Sequence, residues 1–237
     1  MRVLVIGGSG HVGSLVLPHL KQEHTLRVYD LRPPADTTLD FVEGNSSDYN
    51  TLLPAMKDCD TLLYMAMGNQ GWQDIEAVTT NFDANVKGLY VALKAAHDSG
   101  ITHAVYTSSM SVYEGNLMRR YFPDEDMPVD AAHFYGLSKR LGEECCRAAV
   151  HSWGLSVNAL RLCLPVSEER WLAETHKGTP TIATTATDVA RALSAAIGYR
   201  DKGFTPIMIS GDYEETCMKM TRAKNLLNWT PLARPVL

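Results

Sequence analysis

Apolar residues in this chain come in short continuous runs separated by longer stretches of helical period. The runs Val3–Ile6, Leu26–Tyr29, Asp40–Val42, Thr61–Met65, His103–Ser108, Ser156–Leu162 and Pro206–Ile209 read as strands, several of them buried on both faces. Between them, His11–Gln22, Thr51–Met56, Ile75–Ser99, Ala131–Ser152 and Thr187–Tyr199 carry the three-to-four spacing of amphipathic helices. Strand and helix alternate strictly, which predicts an α/β fold: a doubly wound parallel sheet with helices on both faces. Pro18 is expected to kink the first helix. Residues 165–186 show neither period and are expected to be irregular. Together with 210–237, which holds a short helix and Trp229-Thr230-Pro231, they are expected to form a small substrate lobe on one domain spanning 1–237.

The junction between the first strand and first helix changes the picture most. Gly7-Gly8-Ser9-Gly10-His11-Val12-Gly13 spaces glycines at 7, 10 and 13, so backbone N–H groups can approach a diphosphate at the helix's positive end. The second strand then ends in Asp30, placed to accept both hydroxyls of an adenine ribose. This is the Rossmann arrangement, and a carboxylate there repels a 2′-phosphate, so NAD is expected rather than NADP. Arg32 weakens that preference, because it could reach a phosphate.

Composition closes other routes. At 237 residues and 45% hydrophobic, the chain can build a sizeable core. A net charge of −5, with no Lys/Arg run, argues against a nucleic-acid partner. The eight histidines are scattered and the five cysteines lack metal spacing, so no metal is expected. The cysteines, odd in number, read as buried thiols of a reducing cytoplasm. No apolar stretch approaches a membrane span, and the N-terminus runs straight into the first strand, leaving no room for a signal peptide.

Tyr135-Gly136-Leu137-Ser138-Lys139 sets a phenol and an ammonium one helical turn apart on one face. A free phenol, with pKa about 10, is a poor base at neutral pH. A neighbouring cation favours its phenolate form, which can take a proton from a sugar hydroxyl. Thr107-Ser108-Ser109 ends a strand upstream, and strand carboxyl ends face the crevice of such a sheet, so Ser109 is expected to hold the substrate oxygen.

The glycine turn, Ser109 and the Tyr135/Lys139 pair together resemble the short-chain dehydrogenase/reductase superfamily, in particular its extended branch of NAD-dependent epimerases and dehydratases, over nearly the whole chain. Within it the sequence is similar to uronate dehydrogenases at Pro18-His19-Leu20, Lys57-Asp58-Cys59-Asp60 and Tyr135–Lys139. Asn81–Gly88 looks like the branch's Asn-Val-x-Gly helix, which implies that Asn85 orders the site's hydrogen bonds. Thr187–Ala190 and Lys224–Pro231 also look like family positions. The resemblance further implies that His11, Val12, Leu31, Asn45, Ser46, Met65, Ala66, Met67 and Cys163 join Gly7, Gly10, Gly13, Asp30, Arg32, Tyr135 and Lys139 around the cofactor. It also implies a homodimer through a four-helix bundle, for which Leu137, Leu141 and Cys145 form an apolar stripe off the Tyr135 face.

Departures pull both ways on substrate. Asn45 stands where the branch often has aspartate, and Leu164 replaces an asparagine usual in sugar-nucleotide epimerases. Met110-Ser111-Val112-Tyr113 is epimerase-like and lacks the Asn-His of uronate dehydrogenases. The stretch after Arg161 is short for a lobe that must clamp a nucleotide diphosphate. The expected activity is therefore NAD-dependent oxidation of a hydroxyl on a small sugar or sugar acid. Ser109, Met110, Gln70 and Arg170 are expected to contact that substrate, Arg170 as a fork for a carboxylate or else a solvated arginine paired with a neighbouring glutamate. The alternatives are an epimerase, which gives no net NADH, and a non-catalytic NAD-binding module.

Overall fold

The computed structural model describes residues 1–69, 74–175 and 181–235. Seven strands form one parallel sheet in the order β3-β2-β1-β4-β5-β6-β9. They are β1 (Arg2–Ile6), β2 (Thr25–Asp30), β3 (Asp40–Glu43), β4 (Thr61–Tyr64), β5 (His103–Ser109), β6 (Ser156–Leu162) and β9 (Phe204–Ile209). The order reverses beside β1, which places a crevice at the carboxyl ends of β1 and β4. Alternation along β1 splits the core: Val3 and Val5 join one apolar cluster with α1 (His11–Leu20) and α7 (Ala186–Gly198). Leu4 and Ile6 join the other, against α2 (Tyr49–Ala55), α4 (Leu89–Asp98) and α5 (Phe134–Trp153). Both faces are covered, as the continuous apolar strands require. Helix α1 runs through Pro18 to Leu20.

Two regions differ from expectation. Residues 75–98 form one helical passage in three parts: α3 (Ile75–Phe82), a π-helical turn over Asp83–Gly88, and α4. The supposedly irregular 165–186 contains β7 (Pro165–Val166), α6 (Glu168–Thr175) and β8 (Thr184–Thr185), with β7 and β8 paired in parallel. Its helix buries only Trp171 and Thr175, too few apolar positions to show a period. Trp171 closes this small unit by donating its indole N–H to the Ala183 carbonyl at 3.0 Å.

The tail, with α8 (Thr221–Leu227), returns to α7. Trp229 is buried and donates to the Asp188 carbonyl at 2.9 Å. The Asp188 carboxylate accepts the N–H groups of Leu232 and Ala233.

Candidate active site

Helices α2, α3, α5 and α7 begin under a side-chain cap from Asp48, Asp74, His133 and Thr185, whereas α1 begins at Gly10 with none. The first amide of α1 to bond back is that of Ser14, to the Gly10 carbonyl at 2.9 Å. The amides of His11, Val12 and Gly13 therefore head the helix without an intrahelical acceptor, an arrangement suited to an anion. The glycines have different reasons. Gly7 has φ +84°, and a Cβ there would lie 2.3 Å from the Ala66 amide. A Cβ on Gly13 would lie 2.2 Å from the Gly8 carbonyl. At Gly10 a Cβ would meet the Gly7 carbonyl at 3.3 Å, a tight contact but not a clash.

Asp30 closes the end of β2 by folding onto the same turn. One carboxylate oxygen accepts the Ser9 amide at 2.9 Å and the other the Arg32 amide at 3.3 Å. Leu31 is exposed beside it, and Asn45 is exposed after β3. The Ser46 hydroxyl turns inward to the phenol of Tyr64. Met65 is buried at the end of β4, and Ala66 and Met67 are partly exposed beyond it.

Across the crevice, Ser109 ends β5 and accepts the Ser111 amide at 3.0 Å. A hydrogen bond joins its hydroxyl to the phenol of Tyr135, in the first turn of α5. Lys139 follows one turn later, 3% exposed. Its ammonium donates to the Thr107 carbonyl at 2.9 Å and lies 5.0 Å from the ring centre of Tyr106 and 6.0 Å from that of Tyr135. Burial drags the lysine pKa down to about 7. Burial also raises the Tyr135 pKa, opposed by the Ser109 hydrogen bond. The expected depression of the phenol is thus reversed in the protein alone, because desolvation outweighs the hydrogen bond. Asn85 is buried in the π-helical turn and donates to the Ser138 hydroxyl at 2.9 Å. Ser138 in turn donates to the Tyr135 carbonyl at 2.7 Å. Among the described residues the Asn85 side-chain oxygen Oδ1 has no hydrogen-bond partner.

Behind these groups lies a buried charge network. Glu143 accepts from Arg161 Nε at 2.9 Å, Arg161 Nη2 at 2.8 Å and the Ser108 hydroxyl at 2.7 Å. One carboxylate therefore ties together the end of β5, helix α5 and strand β6.

A phenol and an ammonium one turn apart, beside a glycine turn on a parallel sheet, agree with the comparisons with known proteins. Residues 3–210 match the NAD dependent epimerase/dehydratase family. The chain belongs to that family. An N-acetyl-α-D-glucosaminyl-diphospho-ditrans,octacis-undecaprenol 4-epimerase from Escherichia coli O157:H7 is 30% identical over 149 residues, 61% of this chain and 42% of the relative. A UDP-glucose 4-epimerase from Lactobacillus helveticus is 27% identical over 169 residues, 68% of this chain and 51% of the relative. The chain thus spans about half the length of these curated relatives. A uronate dehydrogenase structure from Agrobacterium tumefaciens superposes with a TM-score of 0.80 at 20% identity, covering 98% of this chain and 84% of that one. That likeness is one of fold.

Within this epimerase/dehydratase frame, Ser109, Tyr135, Lys139 and Asn85 come together as the motifs predict. Other expectations do not. Arg170 on α6 has a side chain 66% exposed and pairs with Glu174 at 2.9 Å, one helical turn on, which matches the solvated-pair reading and not the carboxylate fork, although the partner is Glu174 and not an adjacent glutamate. Met110 follows Ser109 into a tight turn and is buried in the core, not open to a substrate. Cys163 is likewise packed in the core, with burial pushing its thiol up to about 12. Gln70, with Trp72 and Gln73, lies outside the described residues. Among the described residues no group of three His, Cys, Asp or Glu side chains could hold a metal, and no helix is long and apolar enough to cross a membrane. Sequence reasoning missed Tyr106, Glu143 and the cap by His133. The fourth-residue spacing of Tyr135, Lys139 and Glu143 was the one available signal.

Proposed function

We propose that this family member is an NAD-dependent oxidoreductase acting on a hydroxyl of a small sugar or sugar acid. The observation that carries this reading is the Ser109–Tyr135 hydrogen bond with Lys139 one turn away, facing the uncapped start of α1 across the crevice. The residues fit the cofactor. The first amides of α1 would hold a diphosphate, Asp30 an adenine ribose, and Lys139 the second ribose. NAD, when bound, supplies the two-electron acceptor. The chain's own residues manage the proton. Ser109 donates to the substrate oxygen and fixes it near the phenol, and Tyr135 takes the hydroxyl proton. Lys139 stabilises the phenolate that this requires, and Asn85 holds α5 in place through Ser138.

Supporting a second reading, the two curated relatives above are named as epimerases. A panel of aldoses, uronates and polyols with NAD separates the cases. Net NADH marks a dehydrogenase, and interconversion without net NADH marks an epimerase. Silence across the panel, with NAD still bound, marks a binding module. On a confirmed substrate, Tyr135→Phe is expected to lower turnover about 10²–10⁴-fold with little change in NAD affinity; near-normal turnover would rule out Tyr135 as the proton acceptor. Two further proposals accompany this reading. The five free thiols suit the cytoplasm. The exposed side of α4 and α5 suits a two-fold homodimer.

A further inference from the structure

Lys139 has a carboxylate one helical turn away and, among the described residues, makes no ion pair. Glu143 follows it by four residues on α5, the spacing at which lysine and glutamate side chains meet. Both are buried. A desolvated ammonium and a desolvated carboxylate at this spacing would ordinarily close to contact. Here the carboxylate is already occupied. Arg161 reaches over from β6 and forks both of its oxygens, and Ser108 takes a third position on it. The guanidinium cannot readily swing away, because the Tyr113 hydroxyl at 2.6 Å and the Glu125 carbonyl at 2.9 Å hold its remaining nitrogen. Lys139 is left with the Thr107 carbonyl and the face of Tyr106.

The other ionisable neighbours do not replace the missing counter-ion. Tyr106 on β5 and Tyr135 and Cys146 on α5 are neutral at physiological pH, burial raising all three. On the far side of Glu143, the Tyr113 hydroxyl accepts from Arg161, and the Glu125 carboxylate accepts the Met208 amide and lies 3.8 Å from Arg222. We propose that Arg161 is a positioning residue for the reaction proposed above. By engaging Glu143 it keeps that carboxylate off Lys139, so that the ammonium stays directed at Tyr135 and at a cofactor ribose.

The test needs no turnover. In protein labelled with ¹⁵N-lysine, the Lys139 side-chain signal is assigned by its loss in Lys139→Met and followed against pH. Arg161→Met frees Glu143, and Lys139 is expected to bind its proton about tenfold more tightly, a rise of about one pH unit. Arg161→Met/Glu143→Gln removes both charges and is expected to return the titration to that of the unaltered protein. A general packing defect would persist in the double variant. If Arg161→Met fails to fold, Arg161→Lys keeps the charge but loses the fork, and is expected to shift the titration in the same direction by less. Unaltered Lys139 titration in the folded single variant, or a shift that survives in the double, overturns the proposal. A chain that oxidises no substrate yet shows the reversible shift would sink the catalytic reading and leave the Arg161 shield standing.

Discussion

Gly136 shows how a single missing carbon can set a reaction geometry. In a helix, glycine to alanine ordinarily stabilises by about 1 kcal/mol, since glycine loses more backbone freedom on folding. At Gly136 the added Cβ would lie 2.2 Å from the Ser111 carbonyl, a backbone atom that no rotamer change can move. The clash wins, because overpacking costs about 1–3 kcal/mol and the only relief is to lift α5 from the turn after Ser109. Gly136→Ala is therefore expected to lower stability in urea unfolding and to reduce turnover, by separating Tyr135 from Ser109. An unchanged unfolding midpoint would mean that the helix start is loosely seated. Gly142 acts similarly one turn beyond Lys139: a Cβ there would meet the Tyr106 hydroxyl at 2.4 Å, so the ring beneath the ammonium occupies space that only glycine leaves free.

At the scale of elements, α4 and α5 expose apolar side chains on which the proposed dimer would rest. Leu141 is 36% exposed on α5, and Leu137 and Cys145 beside it are only partly buried. Tyr90 on α4 is exposed against the ring of Trp153 at 5.4 Å, and His97 stacks on the same tryptophan. In the proposed dimer a second copy of the same two helices would cover this strip. Leu141→Lys is expected to convert a dimer to a monomer in light scattering while leaving NAD binding intact. A mass of one 26.2 kDa chain for the unaltered protein at micromolar concentration would rule the dimer out. The strands, their parallel sense and the Tyr135/Lys139 turn were legible in the sequence because each is written in a local period. The π-helical turn over Asp83–Gly88 was not, since apolar spacing continues through it much as through an α-helix. The Glu143–Arg161 pair was not legible either. It depends on β6 lying beside β5 in a particular register, Ser108 opposite Arg161, which no local pattern encodes. For Arg170 the sequence left two readings, because a guanidinium near a crevice and one in a solvated pair look alike along a chain; the side chain pairs with Glu174.

For the whole molecule, buried ionisable groups make stability depend on pH. The Lys139 pKa is about 7 in the folded chain, against about 10.4 for an exposed lysine. Between these values the unfolded state holds a proton that the folded state has shed, so this residue makes stability rise with pH, by up to about 1.4 kcal/mol per unit. Below the folded value both states are protonated and the penalty is constant. Lys139→Met removes this contribution. The stability difference between the variant and the unaltered chain is expected to be greatest below pH 7 and to shrink from neutrality towards pH 10, as read by urea unfolding at several pH values. A difference that does not vary with pH would show that Lys139 stays charged in the fold.

His11, the first residue of α1, sends its ring N–H to the Pro165 carbonyl at 3.2 Å. That hydrogen bond joins the start of α1 to the segment leaving β6, two parts of the chain 154 residues apart in sequence. The helix whose first amides are proposed to hold a diphosphate is thereby tethered to the small unit that follows β6, so a displacement of either one is felt by the other.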